Sequence, residues 1–88
     1  MKLNGTFTLR EIAGEILVIP VGKTALNLNG MIILNPVSKV IWECLEKGAQ
    51  YNEILTAVTD AFEVSAQEAA ADLDEFLEAL RKQDLLNE

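Results

Sequence analysis

The segment MIILNPVSKVIWECLEKG, residues 31–48, runs an apolar strand directly into an amphipathic helix. Asn35 is a preferred N-cap residue, and Pro36 is preorganised for the first helical turn. Gly48 supplies the left-handed residue that commonly follows a helix. The segment therefore predicts a strand at 31–34 and a helix between Asn35 and Gly48. The apolar residues of that helix recur at helical spacing: Val37, Val40, Ile41, Cys44 and Leu45.

A β-hairpin is predicted upstream of this segment. Residues 6–12, TFTLREI, alternate apolar and polar side chains, which is the period of a half-buried strand. Gly14 permits a tight reversal, and ILVIP, residues 16–20, follows as a second strand. Pro20 cannot donate a ladder hydrogen bond, so it closes that strand or lies at a sheet edge.

The connection to residue 31 and the C-terminal half complete the pattern. Residues 21–30, with two glycines and two asparagines, indicate a loop that can hold a short extended piece around Leu26 and Leu28. A second helix is predicted at about 51–63 and a third at 66–83, opening with a capping box at Ser65–Glu68. Apolar side chains share one face of each: Ile54, Leu55, Val58 and Phe62, then Ala69, Leu73, Phe76, Leu77 and Leu80.

The predicted order is β-β-β-α-α-α, without repeats or a linker. It indicates an α+β fold in which a three-stranded antiparallel sheet precedes a three-helix bundle, related to a winged helix-turn-helix. Eighty-eight residues, half of them apolar, fit one domain over 1–88 with a single modest core.

Charge excludes several partners. Seven basic against fourteen acidic residues give a net charge of −7, so the chain would repel nucleic acid and an anionic membrane surface. The N-terminal stretch lacks the apolar region of a secretion signal, and no apolar run reaches the length of a membrane span. A reducing, cytoplasmic location is expected.

Candidate catalytic groups are few, and each has a structural interpretation. The chain has no histidine, and its single Cys44 lies on the apolar stripe of the first helix, away from positive charge. VGKT, residues 21–24, lacks the upstream glycine of a P-loop. Trp42 is either a core-edge residue or an anchor that faces a partner. The acidic residues of the last helix are expected on a solvated face rather than in a metal site: Glu68, Asp72, Asp74, Glu75 and Glu78. No enzyme activity and no cofactor are expected.

Strand 31–34 carries neither charge nor proline, the features that normally protect a sheet edge from pairing. The helices or a second copy of the chain can cover it. Alternatively, an incoming extended peptide adds to it as a further strand and places side chains against a neighbouring helix.

The succession of FTLREIAGEILVIP, MIILNPVSKVIWECLEKG, NEIL and DLDEFLEALRKQDLL resembles the PqqD family over nearly the whole chain. Members are recognition elements for ribosomally synthesised and post-translationally modified peptides (RiPPs). The resemblance implies that a leader peptide lies antiparallel along the third strand, beside the third helix. It implies delivery of that peptide to a maturase, a radical SAM or other enzyme. The implied peptide-binding residues are Met31, Ile32, Ile33, Leu34, Asp72, Leu73, Phe76, Leu77 and Leu80. Which two strand residues face the core stays open, because a register error of one residue exchanges the faces.

Two positions depart from the family pattern. Members that serve pyrroloquinoline quinone (PQQ) synthesis tend to carry a Leu-Tyr-Pro-Glu-like run where this chain has VIPVG, residues 18–22. Asp84 stands where glycine is frequent. The first departure leaves the PQQ pathway and another modified-peptide pathway as alternatives.

Two other functions fit the architecture. A winged-helix DNA-binding regulator is disfavoured, since the third predicted helix carries five acidic and two basic residues. A self-associating docking module would pair strand 31–34 with the same strand of a second copy of the chain. The chain is thus expected as a monomer or, through exchange across the 21–30 loop, a domain-swapped dimer.

Overall fold

The computed structural model describes residues 1–27 and 31–88, and it confirms the α+β class. Within these residues the strands are β1 (Lys2–Leu3), β2 (Phe7–Ile12), β3 (Glu15–Pro20), β4 (Ile32–Leu34) and β5 (Leu86–Asn87). The helices are α1 (Thr24–Asn27), α2 (Pro36–Glu46), α3 (Tyr51–Ala61) and α4 (Ala66–Lys82). None of the described helices is long and apolar enough to cross a membrane.

The main sheet is three-stranded and antiparallel, as predicted, and its strand order is β2-β3-β4. Ala13 and Gly14, between β2 and β3, have φ of 53° and 82°. Positive φ at both central turn residues is the type I′ geometry, whose twist matches that of a hairpin. Pro20 closes β3 opposite Phe7, at the end of the ladder, where its missing N–H interrupts pairing least.

The core lies between this sheet and the helices. Trp42 of α2 is fully buried, and its ring meets Phe7 of β2 edge to face, with centroids 5.1 Å apart and planes at 85°. That geometry is favourable for aromatic pairs, and it joins the sheet to the bundle. Trp42 is therefore a core residue and not an exposed anchor. The buried apolar residues are Val18, Leu34, Ile41, Trp42, Leu45, Ile54, Val58, Ala69, Leu73, Leu77, Leu80 and Leu85.

The start of α4 differs slightly from the prediction. The Ser65 hydroxyl accepts from the Glu68 N–H at 3.1 Å, which is half of a capping box. The Glu68 carboxylate does not return to the Ser65 N–H; it accepts from the Ser65 hydroxyl at 3.3 Å. The predicted helix at 51–63 also ends earlier, because Phe62 is already extended.

The ends of α2 and α4 share one motif. Gly48 follows α2 with φ of 77°, as predicted. Asp84 occupies the corresponding place after α4 with φ of 58°. Its N–H donates to the Arg81 carbonyl at 3.0 Å, and the Leu85 N–H donates to the Leu80 carbonyl at 2.9 Å. This is a Schellman motif, with the buried pair Leu80 and Leu85 as its apolar contact.

Two short strands were not predicted. β1 pairs antiparallel with β5, Lys2 opposite Asn87 and Leu3 opposite Leu86. The Asn4 N–H continues the pairing by donating to the Leu85 carbonyl at 2.7 Å. The two ends of the described chain are thereby joined beside the last turn of α4.

The helical turn α1 was also missed. The Thr24 hydroxyl accepts from the Thr6 N–H at 2.8 Å, so the turn is tied to the start of β2. The extended conformation predicted around Leu26 is wrong, since Leu26 is helical and exposed. Leu28 lies outside the described residues.

Replacing Asp84 by glycine is expected to raise the free energy of unfolding by about 0.5–1 kcal/mol, because glycine carries no Cβ penalty in the left-handed region. The backbone hydrogen bonds of the motif need no Asp84 side chain. Urea denaturation followed by circular dichroism measures the change. The opposite substitution, Gly48→Ala, should lower stability by about 1 kcal/mol, since its φ is equally positive. A loss of stability in Asp84→Gly would contradict the assignment.

Candidate functional site

β4 is one of the two edges of the main sheet, since among the described strands only β3 pairs with it. The other edge, β2, carries the exposed charges of Arg10 and Glu11, which discourage pairing with a further strand. β4 has no charged residue. Its free margin is therefore the better template for an added strand.

The two faces of β4 are now distinguished. Leu34 is buried and Ile32 is half-buried against the core, whereas Ile33 is 61% exposed. Met31, immediately before the strand, is 56% exposed. This resolves the alternation that the sequence left open: Ile32 and Leu34 face inward, and Met31 and Ile33 face outward.

A groove of about 310 Å³ lies between β4, α2 and α4, and it is called the β4–α4 groove below. Its apolar lining comes from all three elements, and its acidic lining comes from α4 alone. The lining residues are Ile33, Asn35, Val37, Ser38, Ile41, Asp72, Glu75, Phe76 and Ala79.

The predicted site residues fall into three groups. Ile33, Asp72 and Phe76 line the β4–α4 groove. Met31, Ile32 and Leu34 belong to the same strand segment but do not line it. Leu73, Leu77 and Leu80 are 0%, 1% and 2% exposed, so they support α4 from the core side and offer no surface to a ligand. Peptide contact by any of these residues stays a prediction.

Sequence reasoning missed the contribution of α2. Val37 and Ile41 belong to the predicted apolar stripe of this helix, which was not connected with the peptide-binding site. Ile41 is 1% exposed and forms the floor of the groove, while Val37 is only partly buried. The width of the apolar stripe of α2 was the available signal in the sequence, because it exceeds the face that the core covers. The width alone does not show which residues of the stripe lie at the edge of the core.

The junction of β4 with α2 is fixed by a capping box at Asn35. The Asn35 Oδ1 accepts from the Ser38 N–H at 2.8 Å, and the Ser38 Oγ accepts from the Asn35 N–H at 2.9 Å. Both backbone donors at the helix start are thereby satisfied. This confirms Asn35 as the predicted N-cap and sets the direction in which α2 leaves the strand.

The remaining candidates do not form a reactive site. Burial raises the pKa of the Cys44 thiol above its ordinary value, and Lys47 lowers it in part. The expectation that Cys44 lies away from positive charge is therefore wrong, but burial has the larger effect. Tyr51 donates to the Asp74 Oδ1 at 2.6 Å, which raises the pKa of its hydroxyl. Across residues 1–27 and 31–88, no group of three or more cysteine, aspartate or glutamate side chains could hold a metal ion.

Comparison with known proteins shows the family of this chain and a similar solved structure. The model of the family described as coenzyme PQQ synthesis protein D (PqqD) matches residues 22–86. The chain belongs to the PqqD family. A search of curated proteins finds no significant match. Among solved structures, TbiB1 in complex with the TbiA(beta) leader peptide is similar at 26% identity with a TM-score of 0.75, over 99% of this chain and 95% of that one.

In this PqqD-family chain, Asn35→Ala should lower the free energy of unfolding by about 1 kcal/mol, because it removes the N-cap acceptor. Chemical denaturation measures the loss. Asn52→Ala is the matched control: Asn52 is exposed in the first turn of α3, and a change below about 0.5 kcal/mol is expected there. Equal losses in the two variants would show that the capping box does not stabilise the junction.

The raised pKa of Cys44 predicts slow alkylation. Near neutral pH the thiolate, the reactive form, is scarcer than in an exposed cysteine. Iodoacetamide should therefore react more slowly with the native chain than with the urea-unfolded chain, and the native rate should rise with pH into the alkaline range. Faster reaction of the native chain at neutral pH would contradict a structural role.

Proposed function

We propose that this chain captures the leader segment of a ribosomally synthesised precursor peptide by strand addition to β4. The observation that carries the proposal is the uncharged edge strand lying directly beside an apolar groove. Support also comes from TbiB1, a similar structure in complex with a leader peptide. The chain is proposed to act as a single recognition domain.

Strand addition divides recognition between backbone and side chains. The free N–H and C=O groups of β4 would hold a guest backbone with little regard to sequence. Guest side chains that alternate toward α4 would enter the groove, where Phe76 and Ile33 offer apolar contact. An antiparallel guest would extend the antiparallel order of the sheet, as the family resemblance implies.

The proposed role is presentation and not chemistry. The sequence contains no histidine, and its one thiol has a raised pKa. The chemical steps would belong to a maturase, a radical SAM or other enzyme, in the PQQ pathway or in another modified-peptide pathway. Cytoplasmic capture of a newly made precursor fits this role.

The test uses a displayed library of random peptides of about 15 residues, selected on the wild-type chain. Enriched peptides are synthesised and titrated into labelled protein while the backbone amides are followed by NMR. Amides of β4 and α4 should shift together. A micromolar dissociation constant, about −8 kcal/mol, is expected for transient recognition.

Two exposed isoleucines provide a matched pair of variants. Ile33→Asn should weaken peptide binding by about tenfold or more, because it removes apolar contact in the groove. Ile12→Asn changes a similarly exposed isoleucine of β2, 54% exposed against 61% for Ile33, and should leave binding within about twofold. Thermal unfolding confirms that both variants fold.

Three results would overturn the proposal. They are peptides that bind equally well to wild type and Ile33→Asn, amide shifts scattered away from β4 and α4, and a stable dimer by light scattering that no peptide dissociates. The last result would favour a docking module that covers β4 with a second copy.

A further inference from the structure

Both acidic residues that line the β4–α4 groove belong to α4. Asp72 and Glu75 line it together with Phe76 and Ala79 of the same helix. All four recur at spacings of three and four, so they lie on one side of the helix. Two carboxylates thus border the apolar surface of the groove, and Asp72 lies nearest the N-terminus of α4.

These two carboxylates are free of protein partners within residues 1–27 and 31–88. The ion pairs described there join Arg81 to Glu78 at 3.7 Å and to Glu88 at 2.7 Å, outside the groove. Asp74, the acidic residue between them in sequence, accepts from Tyr51 instead. Asp72 and Glu75 are exposed and make no such contact. Their charges therefore remain to act on a guest.

Resting on the proposed function, we infer that the guest peptide carries a lysine or arginine near an apolar anchor residue. The anchor contacts Phe76, Ile33 and Val37 of the groove lining, while the cation meets Asp72 and Glu75. Long basic side chains suit this margin, because their aliphatic stems cover apolar surface while the charged ends reach the carboxylates. An acidic side chain at the same place would be repelled by both.

The helix rise sets the spacing of the two guest residues. Asp72 and Phe76 are four residues apart, which is about 6 Å along the helix axis. Two residues of an extended strand span about 6.6 Å, and side chains two apart point to the same face. For a guest lying along α4, a basic residue opposite Asp72 is therefore two positions from the apolar anchor, and its long side chain also reaches Glu75, which precedes Phe76 by one residue.

The probe is the most enriched groove-binding peptide from the displayed library, with its basic residue kept or replaced by glutamine or glutamate. At about 50 mM salt the basic form should bind about fivefold to tenfold more tightly than the glutamate form, with glutamine between them. At about 500 mM salt the ratio should shrink toward about twofold, because exposed charges are screened.

Two double variants with equal changes in net charge test whether the preference for the basic peptide arises from Asp72 and Glu75. Asp72→Asn/Glu75→Gln should reduce the preference for the basic peptide to less than about twofold. Glu43→Gln/Asp60→Asn changes the net charge equally at exposed positions outside the groove lining, and it should keep the preference. Isothermal titration calorimetry measures each pair, and thermal unfolding confirms the fold.

The outcomes separate the two proposals. If the basic and glutamate peptides bind equally, or both double variants behave alike, the charge inference is overturned. It is also overturned if enriched peptides lack a basic residue two positions from an apolar one. In each of these cases, loss of binding in Ile33→Asn would leave strand capture standing. Peptides that bind equally well to wild type and Ile33→Asn would contradict both the strand-capture proposal and the charge inference.

Discussion

The candidate site depends on the tight connection between β4 and α2. One residue, Asn35, separates the last residue of the strand from the first residue of the helix, and its side chain closes a reciprocal pair of hydrogen bonds with Ser38. A connection this short cannot change direction without breaking the cap. The edge strand and the helix therefore act as one unit. The outward Ile33 and the margin of α2 consequently border the same groove.

α4 serves the core and the groove with different faces of one helix. Leu73, Leu77 and Leu80 are buried. The residues that precede them, Asp72, Phe76 and Ala79, line the β4–α4 groove. Because the period is 3.6 residues, a change of one position moves a side chain by about 100° around the axis. The buried leucines hold the helix against the core, while Asp72 and Glu75 are exposed and Phe76 is only partly buried. Under the proposed function, the buried face would hold the helix in place and the groove face would contact the peptide.

The sequence predicted the features that depend on local chemistry. Asn35 and Gly48 marked the ends of α2 because capping needs particular side chains and particular φ values. The β1–β5 pair escaped prediction because two-residue strands have no detectable period, and their pairing joins residues at opposite ends of the chain. α1 escaped because one helical turn is too short for periodicity, and its tie from Thr24 to Thr6 is tertiary. For the site, the sequence predicted the correct helix but did not separate the buried Leu73, Leu77 and Leu80 from Phe76, which lines the groove. Tertiary packing determines which residues of an apolar stripe are covered, and the sequence does not show it.

Charge and apolar surface would contribute differently to recognition in this groove. Backbone pairing along β4 and contact with Phe76 would supply most of the affinity, yet neither distinguishes strongly between one apolar peptide and another. Two exposed carboxylates would add little affinity at physiological salt, but they would oppose acidic guests and steer basic ones. The net charge of the whole chain, −7, would act in the same direction. In a cell containing many extended apolar segments, selection against the wrong peptide matters as much as attraction of the right one. The exposed carboxylates Asp72 and Glu75 beside the edge strand β4 would meet that need without tightening the complex so far that the guest could not be released.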